Sequence, residues 1–439
     1  MSRFLIVGAA LALAPLYASA AADSFPRIAA NPIGSPQNYW DADYQKRIAA
    51  LDVAVLAVWP GWGSSAKTDM TQTVKQIKAI NPKTRIFLYV IAESFKDPMP
   101  AGWEDLDAKV NQQKWWLYPT STSGSPIEAN FGHGTYVFNI TNFAPKDKDG
   151  NTWGSWYANY VNDKFGKPNP YIDGFYTDNV FYRPRTDGDW NLDGKVDSQK
   201  DPVVQTWYRE GYRSYFAALR KAMPGKMQIG NVADWGQPGT STPEYQDMIN
   251  GGIIEGILGK NYSAEGASAD GWQRMMAQYR KIMALLAAPK LALFNQGGDP
   301  KDYQGMRYGL ASCLMDDGYY DFNDEAHGYS GLTWFDEFDV DLGDAASTPT
   351  TVAWQKGVYR RDFTKGIALV NPKGNGPQTV TLDGEYYLIK GKQDPAVNTG
   401  ALVKTVTLKD RDGIILLRKV PLQKRPSPPG SLQVTAAGN

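Results

Sequence analysis

The sequence predicts an α/β fold: a (β/α)8 barrel followed by a small, sandwich-like antiparallel β domain. Short apolar runs alternate with helical patterns over roughly 290 residues, which fits eight strands with crossover helices better than an open sheet. The runs are continuously apolar, as expected of parallel strands that are buried on both faces. After about residue 352, strand-like runs follow one another with turns and without helices, which indicates a separate antiparallel domain.

The barrel elements follow from the spacing of apolar residues. Eight runs are predicted to be its strands, at residues 53–58, 85–91, 135–140, 171–176, 227–232, 253–258, 291–295 and 330–335. Helical patterns between them include residues 67–80, 203–223 and 272–286. In the first of these helices Met70, Val74, Ile77 and Ile80 share one face, as in a helix that packs against a sheet.

The domain boundaries follow from the same patterns. The barrel is predicted to occupy residues 27–345 and the β domain residues 350–419. Within the β domain, Asp383-Gly384 is predicted to be a turn between strands at 378–382 and 386–390. Residues 420–439 contain Pro426-Ser427-Pro428-Pro429-Gly430 and are predicted to be a linker or tail.

Residues 1–20 have the pattern of a secretory signal peptide. Arg3 precedes an apolar run at 4–15, and Ala18-Ser19-Ala20 forms a small-residue cleavage site. We expect cleavage near Ala20 and a secreted or periplasmic protein, with a retained anchor as the alternative. No later run reaches a membrane-spanning apolar length, so no span is predicted in the mature chain.

Charge and composition exclude several classes of function. Basic and acidic residues cancel at 46 each, so no uniform field attracts nucleic acid or an anionic membrane. The single cysteine, Cys313, excludes an internal disulfide framework, and two histidines nearly exclude multi-histidine metal chemistry. Export argues against nucleotide-dependent chemistry, so no organic cofactor is predicted. We also expect the protein to be a monomer.

The excess of aromatic residues is the first positive indication of a ligand. Aromatics make up 13% of the chain, with 14 Trp and 25 Tyr, and flat rings on a surface are what sugars stack on. Trp59, Trp62, Trp235 and Trp334 fall at predicted strand ends and are predicted to form a stacking platform for a carbohydrate polymer. The alternative is that they belong to the core, as most tryptophans do.

Carboxylates at the carboxyl ends of predicted strands are the candidates for chemistry, because barrel enzymes place their active sites there. Asp178 shares the face of Tyr176, whereas Asp173 lies on the other face and is predicted to be structural. Glu255 lies in an apolar stretch, where burial would raise the pKa of a carboxyl group as a general acid requires. Glu93 and Asp234 are predicted to bind substrate. The alternative is that each is a structural barrel carboxylate with satisfied hydrogen bonds.

An acidic segment runs from Asp316 to Asp344, with ten carboxylates and no Lys or Arg. Most of it is predicted to be a solvated loop. Asp336 and Glu337 have apolar neighbours and are predicted to bind sugar hydroxyls.

A calcium-loop pattern follows the fourth predicted strand. Asp189, Asn191, Asp193 and Asp197 occupy positions 1, 3, 5 and 9, and Gly194 occupies position 6, as in EF-hand or dockerin loops. Position 12 is Lys200 instead of a bidentate carboxylate. The pattern predicts a weak structural calcium site, with a plain Asx-rich turn as the alternative.

Several of these segments resemble a known group of proteins. Residues 173–179, 252–256, 335–338 and 341–343 resemble hypothetical glycosyl hydrolases of bacterial origin, whose barrel is akin to the endo-α-1,4-galactosaminidase type, and residues 358–363 and 366–372 resemble their C-terminal β domain. The resemblance covers residues 31–419. It implies a catalytic Asp after strand four and a catalytic Glu after strand six, which Asp178 and Glu255 match, and it favours retention of configuration.

Together these observations predict a secreted glycoside hydrolase that cleaves a polysaccharide or oligosaccharide with two carboxylates. Asp178 is the predicted nucleophile or base and Glu255 the predicted acid. The alternative is a non-catalytic carbohydrate-binding or cell-surface protein on a degenerate barrel.

Overall fold

A computed structural model describes residues 24–59, 62, 69–232, 235, 244–259 and 263–420. The predicted signal peptide and tail therefore lie outside the described residues, apart from Val420. The strands are Ile28–Ala30 (β1), Val53–Leu56 (β2), Arg85–Ile91 (β3), Ser94–Lys96 (β4), Thr135–Val137 (β5), Gly174–Val180 (β6), Met227–Val232 (β7), Gly251–Leu258 (β8), Leu291–Gly298 (β9), Tyr319–Asp324 (β10), Tyr359–Asp362 (β11), Gly366–Asn371 (β12), Gln378–Leu388 (β13), Leu402–Leu408 (β14) and Asp412–Arg418 (β15). The α-helices are Ala42–Ala49 (α1), Met70–Ile80 (α2), Glu104–Gln113 (α3), Trp153–Val161 (α4), Pro202–Ala222 (α5), Gly271–Leu285 (α6) and Tyr303–Cys313 (α7).

Eight parallel strands close into a barrel. Their order around the barrel is β1, β2, β3, β6, β7, β8, β9 and β10, and β10 pairs with β1 to close the ring. The interior is filled by side chains such as Val55, Phe87, Ile229 and Leu293, all of which are buried. The prediction of a (β/α)8 barrel with a separate C-terminal antiparallel sheet is confirmed.

Two of the predicted barrel strands are wrong, and the first and last strands of the barrel were not predicted. The predicted third strand contains β5, which pairs with β4 in a small ribbon outside the barrel. The first barrel strand, β1, has three residues and is too short to stand out in the sequence. The eighth is β10, whose carboxylates look like part of an acidic loop, and residues 330–335 contain no strand. Before Asp178, one barrel strand (β1) was missed and one segment (β5) was wrongly counted as a barrel strand. The number of strands before it is therefore unchanged, and the run containing Asp178 is still the fourth barrel strand.

Aspartate residues begin several of the helices that cover the barrel. Asp41, Asp69, Asp201 and Asp302 cap α1, α2, α5 and α7, and each side chain accepts a hydrogen bond from a backbone N–H of the first turn. Such caps satisfy donors that the helix itself leaves unpaired, and each is worth about 1 kcal/mol. No helix among the described residues is both long and apolar enough to cross a bilayer.

The C-terminal domain is one five-stranded sheet in the order β11, β12, β15, β13, β14. Asp383-Gly384 is not a turn between strands, because both residues lie inside β13, where the register with β14 shifts between Thr381 and Tyr386. A sandwich-like domain would have a second sheet packed on this one. Among the described residues, helix α7 packs on β15 instead. A Cβ atom at Gly413 would lie 2.4 Å from the carbonyl oxygen of Arg307, so only glycine allows this close approach.

Buried ion pairs and hydrogen bonds join the sheet to the barrel. Arg307 of α7 is 2.7 Å from Asp394, and Arg361 of β11 donates to the carbonyl oxygen of Leu314. On the barrel side, Glu265 accepts a hydrogen bond from Arg411 at 3.1 Å. Because a buried charge is stable only when it is paired and hydrogen-bonded, these contacts fix how the two parts sit together.

Candidate active site

Asp178 lies near the carboxyl end of β6, the fourth barrel strand, with its side chain partly enclosed. The hydroxyl of Tyr89, from the neighbouring strand β3, donates a hydrogen bond to its Oδ2. Burial raises the pKa of Asp178 above its ordinary value; hydrogen bonds from Tyr89, the Asn179 backbone and Asn231 oppose the rise, and the negative charge of Glu255 adds to it. Asp173 instead accepts hydrogen bonds from Lys78 at 2.6 Å and from the backbone of Ile86 at 2.7 Å, a structural role.

Glu255 lies on β8, the sixth barrel strand, and opens to the same side of the barrel as Asp178. Its Oε2 accepts a hydrogen bond from Nδ2 of Asn231 at 2.8 Å. Asn231 is on β7, the strand between β6 and β8, and its side chain is also close enough to Asp178 to lower the pKa of that carboxyl group. One neutral amide thus links the two carboxylates that the sequence singles out.

The environment of Glu255 differs from the sequence-based expectation. Its side chain is exposed at the mouth of the barrel, so the argument that an apolar stretch would bury and desolvate it was wrong. The cause is a local irregularity of β8. Ile254 pairs with Phe294 and Leu258 pairs with Gln296, so four steps along β8 match two along β9, and the extra residues bulge.

A tyrosine and a buried polar pair complete the surroundings of Glu255. The Tyr329 hydroxyl, in the turn after β10, donates to Oε1 of Glu255 at 2.8 Å. The backbone N–H of Gly256 donates to Oδ1 of Asn295 at 3.0 Å, and Nδ2 of Asn295 donates to Oδ2 of Asp321 at 3.0 Å. Burial raises the pKa of Asp321 to about 7, and the charge of Glu255 adds to the rise.

The four predicted stacking tryptophans do not form one platform. Trp59 is partly exposed and packs edge-on against Tyr89, the residue that donates to Asp178, with ring centroids 5.4 Å apart. Trp62 and Trp235 are buried in the core, which corrects their prediction as sugar-stacking residues. Trp334 is partly exposed, but its indole donates to Asp339 at 2.8 Å and its ring packs against Phe338.

The other predicted binding carboxylates differ in where they lie: the charge of Asp178 reaches Glu93, whereas Asp336 contacts the C-terminal domain. Glu93 follows β3 and is buried, its Oε2 has no hydrogen-bond partner among the described residues, and burial raises its pKa to about 7. Asp234 lies outside the described residues. Asp336 accepts from the backbone of Lys392 and Gln393, at 2.7 and 2.8 Å.

Glu337 is also tied to the C-terminal domain. It is buried and accepts from Asn398 at 3.0 Å. Both Asp336 and Glu337 therefore join the barrel to the C-terminal sheet, and neither is placed to bind sugar at the mouth.

The calcium-like loop is held by its own backbone. Asp189 is fully buried and accepts from the N–H groups of Ser121, Asp193 and Gly194 at 2.6, 3.0 and 2.7 Å. Asp197 accepts from the Trp190 N–H at 2.9 Å. In the part of the chain that the structure describes, no group of three or more His, Cys, Asp or Glu side chains is arranged to hold a metal ion.

Sequence reasoning missed five residues near the carboxylate pair: Tyr89, Asn231, Asn295, Asp321 and Tyr329. Tyr89, Asn231 and Asn295 lie within or at the end of correctly predicted strands, so two-residue periodicity combined with strand register would have placed them at the mouth. Asp321 lies on the unrecognised strand β10, and Tyr329 is in a turn that no local pattern assigns to Glu255.

A closed parallel barrel that presents two carboxylates at one mouth has the active-site placement of barrel enzymes, and a pair of carboxyl groups is what most glycoside hydrolases use. The chain belongs to the hypothetical glycosyl hydrolase family 15, whose model matches residues 78–367. The sequence-based resemblance to hypothetical glycosyl hydrolases is thereby confirmed. No curated protein matches the sequence significantly.

Several solved glycoside hydrolases are similar to this chain at low sequence identity. Amy13B of Eubacterium rectale is 9% identical with a TM-score of 0.50, and the match covers 87% of this chain and 91% of that one. An Anoxybacillus alpha-amylase is 12% identical with a TM-score of 0.45, covering 88% and 90%. The GH36 alpha-galactosidase AgaA of Geobacillus stearothermophilus is 10% identical with a TM-score of 0.41, covering 90% of this chain and 56% of that one. At 9% identity, the likeness to Amy13B shows the fold alone.

Proposed function

We propose that the protein is an exported glycoside hydrolase that cleaves a carbohydrate polymer with Asp178 and Glu255 as its two carboxylates. The observation that carries this proposal is the amide of Asn231, which donates to Glu255 at 2.8 Å and also lowers the pKa of Asp178. Glycoside hydrolysis requires two carboxyl groups that flank one bond, and a shared neutral donor keeps two such groups close without neutralising either.

The bridge also bears on the stereochemical outcome. Asn231 donates from Nδ2 to Glu255 and also favours the charged form of Asp178, so the two carboxylates lie near the same amide group. This supports a retaining mechanism, for which carboxyl separations of about 5 to 5.5 Å are typical.

The contacts of the two carboxylates support different roles. Asp178 is recessed and oriented by Tyr89 and Asn231, so it has the fixed position that attack on the anomeric carbon demands. Glu255 is exposed, so it can reach the glycosidic oxygen and exchange protons with water between the two steps. The raised pKa of Asp178 would by itself suit an acid, so a direct test of the roles is needed.

In the proposed first step, an oxygen of Asp178 attacks the anomeric carbon while Glu255 gives its proton to the departing glycosidic oxygen. The result is a glycosyl ester on Asp178 and a free sugar hydroxyl. In the second step Glu255 removes a proton from water, the hydroxyl oxygen bonds to the anomeric carbon, and Asp178 leaves as a carboxylate. Tyr89 and Asn231 then stabilise its returning negative charge.

Other features support a polymeric substrate met outside the cell. The mouth is open at Glu255 and Tyr329, and Trp59 offers a partly exposed ring beside Tyr89. The N-terminal pattern supports export, and the balance of charges gives no reason to expect a nucleic-acid partner. We propose a monomer without an organic cofactor.

The test is a screen of purified wild-type protein against α- and β-linked polysaccharides, with new reducing ends as the readout. Asp178→Asn and Glu255→Gln keep the side-chain shapes, so each should lower turnover by a factor of roughly 10² to 10⁴ on any substrate found. Glu210→Gln, an exposed change on α5, is the matched control and should leave activity unchanged. Binding of a polysaccharide without any cleavage would instead support the non-catalytic alternative.

A further inference from the structure

We propose that Asn295 and Asp321 are positioning residues for Glu255, acting through the backbone N–H of Gly256. The proposal rests on the proposed function, because it assigns how one of the two proposed catalytic carboxylates is held. Neither residue would touch the substrate: the Asn295 side chain accepts from the residue after Glu255, and Asp321 accepts from Asn295.

The bulge in β8 is where this support is needed. Between Ile254 and Leu258 the strand leaves its ladder with β9, so the backbone there has lost its regular partners. Gly256 has a φ of +61°, in the left-handed region that favours glycine. Its N–H points to Oδ1 of Asn295 at 3.0 Å, so a side chain replaces the missing ladder bond.

Asn295 can serve as this acceptor only while its amide keeps one orientation, and the hydrogen bond to Asp321 fixes that orientation. The two residues are directly opposite each other on β9 and β10. Nδ2 of Asn295 donates to Asp321 at 3.0 Å, which leaves the amide oxygen facing Gly256. Both side chains are at least 96% buried, so water does not compete for these bonds. Burying a carboxyl group near a second carboxylate costs folding free energy. A contribution to stability therefore does not explain why Asp321 occupies this position.

The groups around Asp321 indicate in which protonation state it orients the amide of Asn295. Glu255 of β8 and Tyr329 of the following turn are titratable groups coupled to it, as is Tyr320 of its own strand. Its register partners Asn295 and Ala29 are neutral. Because burial raises the pKa of Asp321 to about 7, the group carries a proton in mildly acidic solution, and asparagine should then replace it well.

The first experiment needs no substrate. Carbodiimide and glycine ethyl ester label accessible carboxyl groups, and peptide mass spectrometry measures the rate at Glu255, with the exposed Glu325 as internal control. In Asn295→Ala the label should enter Glu255 several-fold faster, because the bulge is released, whereas Glu325 should not change. Asn295→Leu fills the same volume without polar atoms and serves if the alanine variant does not fold. An unchanged rate at Glu255 in a folded variant would overturn the proposal.

The second experiment uses a substrate that the wild type cleaves. Asn295→Ala and Asp321→Ala should lower kcat at least tenfold with KM changed less than about threefold, because they misplace a reacting group. Asp321→Asn, measured near pH 6, should restore kcat to within about threefold of wild type. Equal losses in Asp321→Asn and Asp321→Ala, or a loss confined to KM, would refute the positioning role. If the wild type cleaves nothing, the proposed function fails while the labelling result still stands.

Discussion

The side-chain amide of Asn231 donates to Oε2 of Glu255 at 2.8 Å and also lowers the pKa of Asp178, so one neutral residue on the fifth barrel strand interacts with the carboxylates of the fourth and sixth. Two carboxylates this close repel each other, and in a partly buried site that repulsion is only weakly screened. A shared N–H donor lowers the energy of both charged forms and fixes the gap between them.

Asn231→Ala should therefore change the pH dependence of activity as well as its size. Loss of a donor to the charged form raises the pKa of Asp178 further, so the limb of kcat/KM against pH that reports Asp178 should move to higher pH. We expect kcat to fall by about one to two orders of magnitude. Asn159→Ala, on the exposed side of α4, is the control. An unshifted profile would mean that the bridge does not influence the proposed catalytic pair.

Azide should separate the roles of the two carboxylates on an activated aryl glycoside. In Glu255→Ala, azide, which needs no general base, should attack the glycosyl ester on Asp178 in place of water, release the Asp178 carboxylate and give a glycosyl azide with the starting configuration. In Asp178→Ala, azide should replace the nucleophile and give the opposite configuration. Product configuration is read by NMR. The reverse pattern would exchange the two assignments.

Glu93→Gln should stabilise the protein increasingly as pH rises. Burial raises the pKa of Glu93 to about 7 in the folded chain from 4.5, so its stabilising contribution is complete below about 4.5 and is lost as pH rises through about 7. The glutamine side chain does not ionise, so it avoids the cost of a buried charge. The free energy of unfolding of the variant should therefore exceed that of the wild type by a margin that grows to at most about 3 kcal/mol by neutral pH. Thermal unfolding from about pH 4 to about pH 8 measures it, and a difference independent of pH would contradict the burial argument.

Two aspartates of the calcium-like loop should behave differently. If the loop binds calcium, the ion should raise the melting temperature of a metal-free preparation, and Asp193→Ala should remove that response without altering the calcium-free value much. Asp189→Ala should destabilise the protein with or without calcium, by about 1 to 3 kcal/mol, because three backbone donors lose their acceptor. No calcium response in the wild type would leave the loop as an Asx-rich turn.

Two neighbouring tryptophans give a matched comparison of binding and packing. Trp62 is buried, donates to the carbonyl oxygen of Ala57 at 3.0 Å and packs on Tyr39, so Trp62→Ala should destabilise the fold by about 3 to 5 kcal/mol. Trp59 is partly exposed beside Tyr89, so Trp59→Ala should mainly raise KM. Melting temperature and kinetics are measured on both variants. A stability loss without a KM change at Trp59 would show that its ring only packs.

The amino-acid sequence by itself determined the features that depend on local periodicity. Continuous apolar runs and helical spacing predict the barrel, and counting by twos separates Asp178 from the structural Asp173, because side chains alternate along a strand. The tertiary structure alone decided which strands close the ring, that Glu255 is exposed on a bulge, that Trp62 and Trp235 are buried, and that Asn231, Tyr329 and Asp321 surround the pair. These features depend on register between strands far apart in the chain, and a one-residue shift in register would send every such side chain to the opposite face.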